Sequence, residues 1–473
     1  MKIGALDTLR RHARAFRLEL DGDAATAIEA TAENLIRLAD LTDYVGAPPR
    51  PRLYDHYSNV NTKRRPIQLG PNNGNLSSDR LTDYQSRYGC FLSVIEPRGN
   101  AAIGTFPVAL KDVFAFDDHQ PTAGLATPPA GINLKPSTVV KRVQEAGGYI
   151  TATTKLSQWC YLPIEWNEFV APPVNPLGAD RLVGGSSSGA AVSVASGAVP
   201  VALGTDTGGS VRIPAALCGV YGFKPSATRV PMDGIIPLGP TQDTVGILAR
   251  DLDVLRQMFQ VIADEVRDFD GHSGNINVGI PDGLLANCDF ETIAALKVAS
   301  AAIAGQGGVV HTRPPLPLER LNAVAGILTG SEAARYHGPR MAQFPNEYAS
   351  SVADRLCLGM AFSTAIYDAA MSCRYDLAQS VASDIFGNCE FLMLPVVEKH
   401  RYPLANPNNT TRGQLSKLSL NVLSLNRWVN LLGLPALSIP ITLGPDTMAA
   451  VQLVGRFGED ESLFKVAERI TAQ

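Results

Sequence analysis

Residues 183–225, VGGSSSGAAVSVASGAVPVALGTDTGGSVRIPAALCGVYGFKP, constrain the fold more than any other stretch of this chain. They contain two turns rich in glycine and serine, and the residues between the turns predict a small-residue helix followed by a strand. Successive glycines in the second turn, residues 204–210, let several backbone N–H groups converge on one point, which makes an anion-binding nest. Ser210 ends this turn, so its hydroxyl would lie beside donors that can hold an oxyanion, as acyl transfer requires.

Strand-like and helix-like patterns alternate along the rest of the chain. Apolar and β-branched runs predict strands, and apolar residues at helical spacing or small-residue runs ended by glycine predict helices. The predicted strands are 103–110, 149–154, 199–204, 391–397 and 434–442, and the predicted helices are 25–41, 137–146, 188–197 and 361–378. This alternation predicts an α/β sheet in one large domain.

The composition is that of a folded globular protein. Of the 473 residues, 45% are hydrophobic and 18% are charged, and the formal net charge of −4 favours neither nucleic acid nor an anionic membrane as a partner. No stretch has the pattern of a membrane span or of a signal peptide. The seven cysteines are scattered without CxxC spacing, which favours free thiols in a cytoplasmic protein and argues against a zinc site.

A serine nucleophile needs a base, and the residues alone leave several interpretations open. No histidine lies in a motif-like context, whereas Lys111 ends an apolar strand, where burial would lower its pKa and let the neutral amine accept a proton. The alternative is a Lys111 that is solvated or paired with Asp112. Residues 185–189, GSSSG, also match the nucleophile elbow of an α/β-hydrolase-like esterase that uses Ser187 and a histidine. No phosphate-loop pattern is present, and the same glycines are also typical of purely structural turns.

Taken together, these stretches resemble the amidase signature hydrolases. The resemblance runs through 184–225 and extends to PVALKD at 107–112, TTKLS at 153–157, PTQDTVG at 240–246 and NLLGLPALSIP at 430–440. It implies the amidase signature fold, an α/β architecture in which helices cover both faces of a central, mixed, twisted β-sheet. We therefore assign residues 1–95 to an N-terminal helical or accessory segment and residues 96–473 to an amidase signature domain. Its core motifs occupy 103–260 and 425–470, and its variable substrate-cavity region is 313–420.

The resemblance also implies roles for individual residues. Lys111 would be the general base and acid, Ser186, held in a cis peptide bond, the proton relay, and Ser210 the nucleophile that becomes acylated. The implied oxyanion hole consists of backbone N–H groups, those of Thr207, Gly208, Gly209 and Ser210. Asp206 and Arg212 would brace these loops, with Ser187 in a supporting position. The implied mechanism uses neither a metal ion nor an organic cofactor.

Two departures from the family pattern bear on the substrate. Amidotransferase subunits of the family carry a glutamine where this chain has Ile213, so we expect a free-standing hydrolase; the alternative is a non-catalytic or amidotransferase-type subunit of a complex. Trp159, Cys160 and Tyr161 lie in a segment that often lines the acyl pocket in relatives. They favour a small, neutral, partly apolar carboxamide or arylamide, or a related carbamate or urea, unless Trp159 and Tyr161 simply pack in the core. A homodimer built partly from residues 1–95 is left open.

Overall fold

A computed structural model describes residues 5–15, 22–41, 43–46, 69, 78–95, 106–264, 276–404 and 411–472. These residues include one eleven-stranded sheet with the strand order β1-β3-β2-β4-β6-β5-β10-β11-β9-β7-β8. The strands are β1 (Phe91–Val94), β2 (Phe106–Lys111), β3 (Gly148–Thr154), β4 (Val201–Asp206), β5 (Tyr221–Lys224), β6 (Thr244–Ala249), β7 (Asn277–Pro281), β8 (Val309–Arg313), β9 (Phe391–Pro395), β10 (Ala436–Gly444) and β11 (Thr447–Gly455).

Parallel and antiparallel pairs both occur in this sheet. β2 lies parallel to β3 and β4, and β7 lies parallel to β8 and β9, whereas β4 with β6 and β10 with β11 are antiparallel. The helices are α1 (Ala5–Ala15), α2 (Gly22–Ala39), α3 (Ser78–Tyr88), α4 (Thr138–Glu145), α5 (Ser188–Ala195), α6 (Arg212–Cys218), α7 (Leu252–Ile262), α8 (Phe290–Gly305), α9 (Leu318–Gln343), α10 (Ser350–Met360), α11 (Thr364–Ser380), α12 (Arg412–Leu423), α13 (Arg427–Leu431) and α14 (Asp460–Thr471). The predicted class, an α/β domain around a mixed sheet, is confirmed.

Helices cover both faces of the sheet, which explains why β2 reads as an uninterrupted apolar run. All six residues of β2 are buried. Val108 and Leu110 belong to the apolar cluster that includes α4 and α7, while Ala109 between them belongs to a second cluster with α5. Apolar and polar residues do not alternate in a strand that is buried on both faces. An uninterrupted apolar run therefore indicates that both faces of β2 are buried.

The small residues of α5 allow it to approach the sheet closely. A Cβ atom at Gly189 would lie 2.3 Å from the carbonyl oxygen of Cys90 and 2.5 Å from the amide nitrogen of Lys155, so only glycine fits there. The predicted helix at 188–197 and strand at 199–204 are observed as α5 and β4, each shifted by two residues or fewer. This close packing holds the turn before α5 beside the end of β2.

One strand of the sheet comes from the segment before residue 95. β1 lies before residue 95 but pairs with β3, so the sheet extends into the predicted accessory segment. The predicted helix at 25–41 is observed as α2, which packs with α1 against α9 and α10. Residues 103–105, the start of the first predicted strand, lie outside the described part of the chain.

Residues 313–420 are mainly helical, although the sequence predicted only one helix there, at 361–378. They contain the 26-residue helix α9, followed by α10 and α11. The helical periodicity of α9 is weak because the helix is buried on most of its surface, so polar and apolar residues do not segregate to two faces. Among the described residues no single helix is long and apolar enough to cross a membrane; the bent pair Ser350–Met360 and Thr364–Phe386 meets that test by length and composition alone.

Candidate active site

The site lies where two neighbouring parallel strands end. β2 and β4 pair in register, with Leu110 opposite Leu203, so Lys111 and the turn after Asp206 emerge at the same edge of the sheet. The turn that precedes α5 lies between them, and its Ser187 N–H donates to the carbonyl oxygen of Ser210 at 3.2 Å. Residues far apart in the chain are thus brought together by strand pairing and one backbone hydrogen bond.

Lys111 is completely buried and contacts hydroxyl groups. Its Nζ lies 2.7 Å from the Oγ of Ser186 and 2.9 Å from the Oγ1 of Thr205. Within the described ranges no carboxylate lies at ion-pair distance from it, and Asp112 instead contacts His119 at 2.7 Å and accepts hydrogen bonds from Thr122. Burial lowers the pKa of Lys111, and negative charge on nearby groups only partly opposes this. The alternative of a solvated or Asp112-paired lysine is therefore not what the structure contains.

Ser186 is held from both sides by backbone contacts. The Gly185–Ser186 peptide bond is cis, and the Ser186 carbonyl oxygen accepts a hydrogen bond from the Ser157 N–H at 3.3 Å. Val183 and Gly184, just before Ser186 in the chain, are also held. Their N–H groups donate hydrogen bonds to the buried carboxyl group of Glu165 at 3.2 and 3.0 Å. Burial raises the pKa of Glu165 to about 7. Sequence reasoning did not single out Glu165, because an isolated glutamate between apolar residues carries no motif.

The turn that contains Ser210 folds around the carboxylate of Asp206. This carboxylate accepts from the N–H groups of Gly209 at 2.7 Å and Val211 at 3.0 Å. Gly209 has φ 121°, a conformation that a side chain would strain, and a Cβ there would lie 2.7 Å from Asn426. The predicted oxyanion hole is thus altered: the Gly209 N–H is already used by Asp206.

The other three N–H groups of the predicted oxyanion hole are in a different situation. Those of Thr207, Gly208 and Ser210 donate to no protein acceptor in the part of the chain that the structure describes. The Thr207 side chain is anchored separately, since its hydroxyl donates to Asp243 at 2.5 Å. Three backbone donors therefore remain for a ligand at this turn.

Arg212 locks the turn in place. Its guanidinium forms a fully buried ion pair with Asp206 at 3.0 Å and also donates to Asn430 at 2.6 Å and Gln452 at 3.1 Å. Burial alone would raise the pKa of Asp206, but Arg212 and the backbone N–H donors hold it well below its usual range. Asp206 and Arg212 thus occupy the bracing position that the resemblance implied, with Asn430 and Gln452 as additional partners.

Ser187 is placed for packing rather than attack. It is fully buried, and its hydroxyl donates to the carbonyl oxygen of Thr205 at 3.3 Å. No described histidine ring lies within hydrogen-bond distance of it, as the elbow-type esterase would require. Two histidines that lie at least partly inside the protein have other partners: His119 contacts Asp112 and His337 contacts Tyr348.

Ser210 lines a small cavity, and a larger cavity shares part of its wall. The small cavity, of about 30 Å³, has Ser210, Thr207, Cys160 and Leu238 in its wall. The larger one, of about 560 Å³, shares Tyr161, Leu162, Thr329 and Arg427 with it. Trp159 lines neither, because its ring stacks on Tyr348 with centroids 5.4 Å apart and its N–H donates to the carbonyl oxygen of Glu347. Of the three predicted pocket residues, Cys160 and Tyr161 are in the wall and Trp159 packs in the core.

The larger cavity is built by helices that the motifs do not cover. Its wall includes Leu35 of α2, Gly326 of α9 and Arg355 of α10. Residues 313–420 therefore contribute to the wall of the larger cavity, and Thr329 contributes to that of the small one. The contribution of α2, from the predicted accessory segment, was not expected.

The class of protein now follows from the comparisons as well as from the geometry. The model of the family described as Amidase matches residues 102–464, and the chain belongs to this family. It is an amide-hydrolysing enzyme.

Relatives and solved structures agree with this assignment. The glutamyl-tRNA(Gln) amidotransferase of Clostridium botulinum (strain Alaska E43 / Type E3) has a subunit that is 29% identical over 412 residues, which cover 77% of this chain and 82% of the relative. A crystal structure of an amidase is similar with a TM-score of 0.72 and 27% identity, covering 83% of this chain and 94% of that one. A 6-aminohexanoate cyclic dimer hydrolase complexed with substrate has a TM-score of 0.69, covers 94% of this chain and 96% of its own, and at 21% identity is alike in fold alone.

Proposed function

We propose that this enzyme hydrolyses a C–N bond of a small carboxamide or arylamide, or of a related carbamate or urea, through an acyl-enzyme on Ser210. The observation that carries the proposal is the contact of 2.7 Å between the Nζ of Lys111 and the Oγ of Ser186, completely buried and without a carboxylate partner among the described residues. A desolvated amine of this kind favours its neutral form, which can accept a proton.

Proton transfer precedes attack in this mechanism. Neutral Lys111 takes the hydroxyl proton of Ser186, and Ser186 takes that of Ser210. The Oγ of Ser210 then attacks the carbonyl carbon, and the carbonyl π-electrons move to the oxygen. The developing negative charge is stabilised by the free N–H groups of Thr207, Gly208 and Ser210. Gly209, which the resemblance included in the oxyanion hole, contributes by holding the turn through Asp206.

Collapse of the tetrahedral intermediate breaks the C–N bond. The ammonium of Lys111 returns its proton through Ser186 to the leaving nitrogen, so the product leaves as a neutral amine or ammonia rather than as an amide anion. General acid catalysis of this kind contributes roughly 10²–10⁴-fold. A water molecule then attacks the acyl-enzyme along the same relay, which restores Ser210 and releases the acid.

The wall of the small cavity is apolar in part, which favours a partly apolar acyl group. Cys160, Leu162 and Leu238 line it, and the thiol of Cys160 lies 3.8 Å from the Oγ1 of Thr205, as a small wall side chain rather than a second nucleophile. Ile213 is fully buried in α6 and offers no polar group where amidotransferase subunits have glutamine, which favours a free-standing hydrolase. The cytoplasmic location expected from the cysteines stays a prediction.

Covalent labelling tests the proposed nucleophile. We expect a phosphonofluoridate probe to label the native protein at Ser210, and Ser210→Ala to abolish both labelling and hydrolysis of a panel of amides, carbamates and ureas. Ser187→Ala is the matched control, because this hydroxyl is directed at the backbone of Thr205.

The outcomes separate the alternatives. Labelling that is lost only in Ser187→Ala would replace the proposal with the elbow-type esterase. A folded protein that neither reacts with the probe nor hydrolyses any member of the panel would favour a non-catalytic subunit. Hydrolysis that appears only after a partner protein is added would favour an amidotransferase-type subunit.

A further inference from the structure

A histidine and two carboxylates meet where the N-terminus of α8 contacts the segment that follows β9. The Nδ1 of His400 lies 2.8 Å from the Oδ2 of Asp289 and 3.5 Å from the Oε2 of Glu291. The three ligand atoms all lie within 4.8 Å of one another. None of the three residues lines the cavity that contains Ser210 or the larger one next to it, and the proposed mechanism uses none of them.

Helix capping accounts for only part of this arrangement. Asp289 is the N-cap of α8, where its Oδ1 accepts a hydrogen bond from the Thr292 N–H at 2.9 Å. Its Oδ2 accepts from the backbone N–H of His400 at 2.9 Å and faces the Nδ1 of the same residue. A single proton on Nδ1 can be donated to Asp289 at 2.8 Å, and Glu291 at 3.5 Å then receives none. A divalent cation in place of that proton would contact both carboxylates at once.

The distances in the cluster are close to those around a zinc ion. Tetrahedral Zn²⁺ has bonds of about 2.0–2.2 Å to imidazole nitrogen and carboxylate oxygen, which separates its ligand atoms by roughly 3.3–3.6 Å. The 3.5 Å between His400 and Glu291 lies in this range, and the 2.8 Å between His400 and Asp289 is slightly below it. All three side chains are partly exposed, so a fourth position would be open to water.

The carboxylates near His400 make the site attractive to a cation. Although burial opposes this, hydrogen bonds from Thr292 and His400 lower the pKa of Asp289, so its carboxylate is ionised at neutral pH. Burial and the charges of Glu398 and Asp289 together raise the pKa of Cys288 to about 11, which shows that Glu398 lies near the cluster. A divalent cation would reduce the repulsion among these carboxylates.

A buried hydroxyl group supplies an observation that is independent of the cluster. Tyr402 is 5% exposed, and its hydroxyl oxygen has no hydrogen-bond partner among the described residues. Burial raises the pKa of this hydroxyl, and the charges of Glu398 and Asp289 raise it further, so the hydroxyl faces these acidic groups. Carboxylates that bind a metal are themselves held by hydrogen bonds from outside the ligand set. The Tyr402 hydroxyl is a donor available for that purpose.

We propose that the His400 imidazole and the carboxylates of Asp289 and Glu291 bind a Zn²⁺ ion, with water as the fourth ligand. The Tyr402 hydroxyl then donates a hydrogen bond to one of the ligating carboxylates. The scattered cysteines argued against a zinc site, but these three ligands include no thiolate. One imidazole nitrogen with two carboxylate oxygens favours Zn²⁺ over Mg²⁺, which prefers oxygen ligands in octahedral geometry.

The ion would connect α8 to the segment after β9, and that segment is joined to the chain before Ser186. The N–H of Leu182 donates to the carbonyl oxygen of Tyr402 at 2.9 Å, and the N–H of Leu404 donates to that of Asp180 at 3.1 Å. A bound ion would therefore stabilise the folded protein. It would take no part in the proposed reaction, because its ligands lie outside both cavities.

Calorimetry with ZnCl2 tests the site in the untagged, full-length protein after treatment with a chelator. We expect one Zn²⁺ ion per chain, bound at least about tenfold more tightly than Mg²⁺. Asp289→Asn retains the N-cap of α8, because asparagine caps as well as aspartate, but it removes the ligating charge. This variant and His400→Gln should each weaken Zn²⁺ binding by more than about tenfold. Tyr402→Phe removes only the hydrogen bond to a ligand and should weaken it by roughly tenfold.

His311→Gln is the matched control. His311 lies on β8, is also half-buried and contacts Asn277 at 3.0 Å, so its replacement should leave the affinity for Zn²⁺ unchanged. Zn²⁺ should also raise the Tm of the native protein and of His311→Gln, but not that of Asp289→Asn. Equal Tm values of native and Asp289→Asn protein in the chelator would show that the variant is folded.

Three results would overturn the inference. The first is a native protein without a saturable Zn²⁺ site. The second is an affinity for Zn²⁺ that neither Asp289→Asn nor His400→Gln alters, which would show that the ion binds elsewhere. The third is Mg²⁺ binding as tight as that of Zn²⁺, which would show that the imidazole is not a ligand.

Discussion

The neutral state of Lys111 can be tested through the pH dependence of stability. A lysine whose pKa is lowered by folding binds fewer protons in the folded than in the unfolded state, at every pH between its folded-state pKa and about 10.4. The free energy of unfolding therefore rises with pH in that window. Lys111→Met removes the titrating group and keeps a side chain of similar length, so the variant should lack this contribution.

The size of the effect follows from the burial of Lys111. The side chain is fully inaccessible, burial is the largest cause of its lowered pKa, and no described carboxylate is at ion-pair distance. A full proton difference contributes about 1.4 kcal/mol for each pH unit in the window. We therefore expect the native protein to gain up to about 1.4 kcal/mol per pH unit over Lys111→Met in the window where the folded protein has released this proton and the unfolded chain still holds it.

Denaturant unfolding of the two proteins at several pH values measures this slope. The contacts to Ser186 and Thr205 that the variant loses change its free energy of unfolding by an amount that does not depend on pH. Lys141→Met is the control. Lys141 is 73% exposed, so the stability difference between the native protein and this variant should not change with pH. A stability difference between native and Lys111→Met that stays constant from pH 7 to 9 would show that Lys111 is charged, and the proposed proton relay would have no base.

Two further predictions concern the groups that hold the catalytic loops. Arg212→Met leaves the carboxylate of Asp206 buried without its partner and should lower the free energy of unfolding by about 3–5 kcal/mol; a loss below 1 kcal/mol in denaturant titrations would contradict the bracing role. Glu165 has a pKa raised to about 7 by burial, so it binds more protons when folded and its contribution to stability decreases between about pH 4.3 and 7. Glu165→Gln should remove that decrease. A melting temperature that falls by the same amount between pH 4.5 and 7 in both proteins would argue against the raised pKa of Glu165.

Much of the fold could be predicted from local patterns. β2 and β3 appear at the predicted positions because strands buried on both faces leave long apolar or β-branched runs. α9 was missed, and it is buried on most sides, so its residues show no clear helical period. β1 was not predicted, because it is short and belongs to the sheet only through its pairing with β3.

The candidate site was predictable where backbone geometry demands particular residues. Gly209 and Asp206 are such positions. The turn needs a positive φ at Gly209, and it needs the Asp206 carboxylate to accept hydrogen bonds from its N–H groups. Even there, the sequence pattern did not indicate that Asp206 takes the Gly209 N–H. Trp159 shows the opposite case: its place near the motif suggested a pocket wall, but stacking on Tyr348 buries it in the core.

By itself the sequence determined the family, the mixed α/β architecture and the identity of Lys111, Ser186 and Ser210 as candidates, because these depend on short segments with strict local requirements. Tertiary structure alone decided that Lys111 contacts Ser186 rather than Asp112, since that contact depends on how β2, β4 and α5 pack. It also decided the chemistry of the large cavity. Arg355 and Arg427 reach its wall from separate helices, and a one-dimensional pattern contains no information about which helix faces meet.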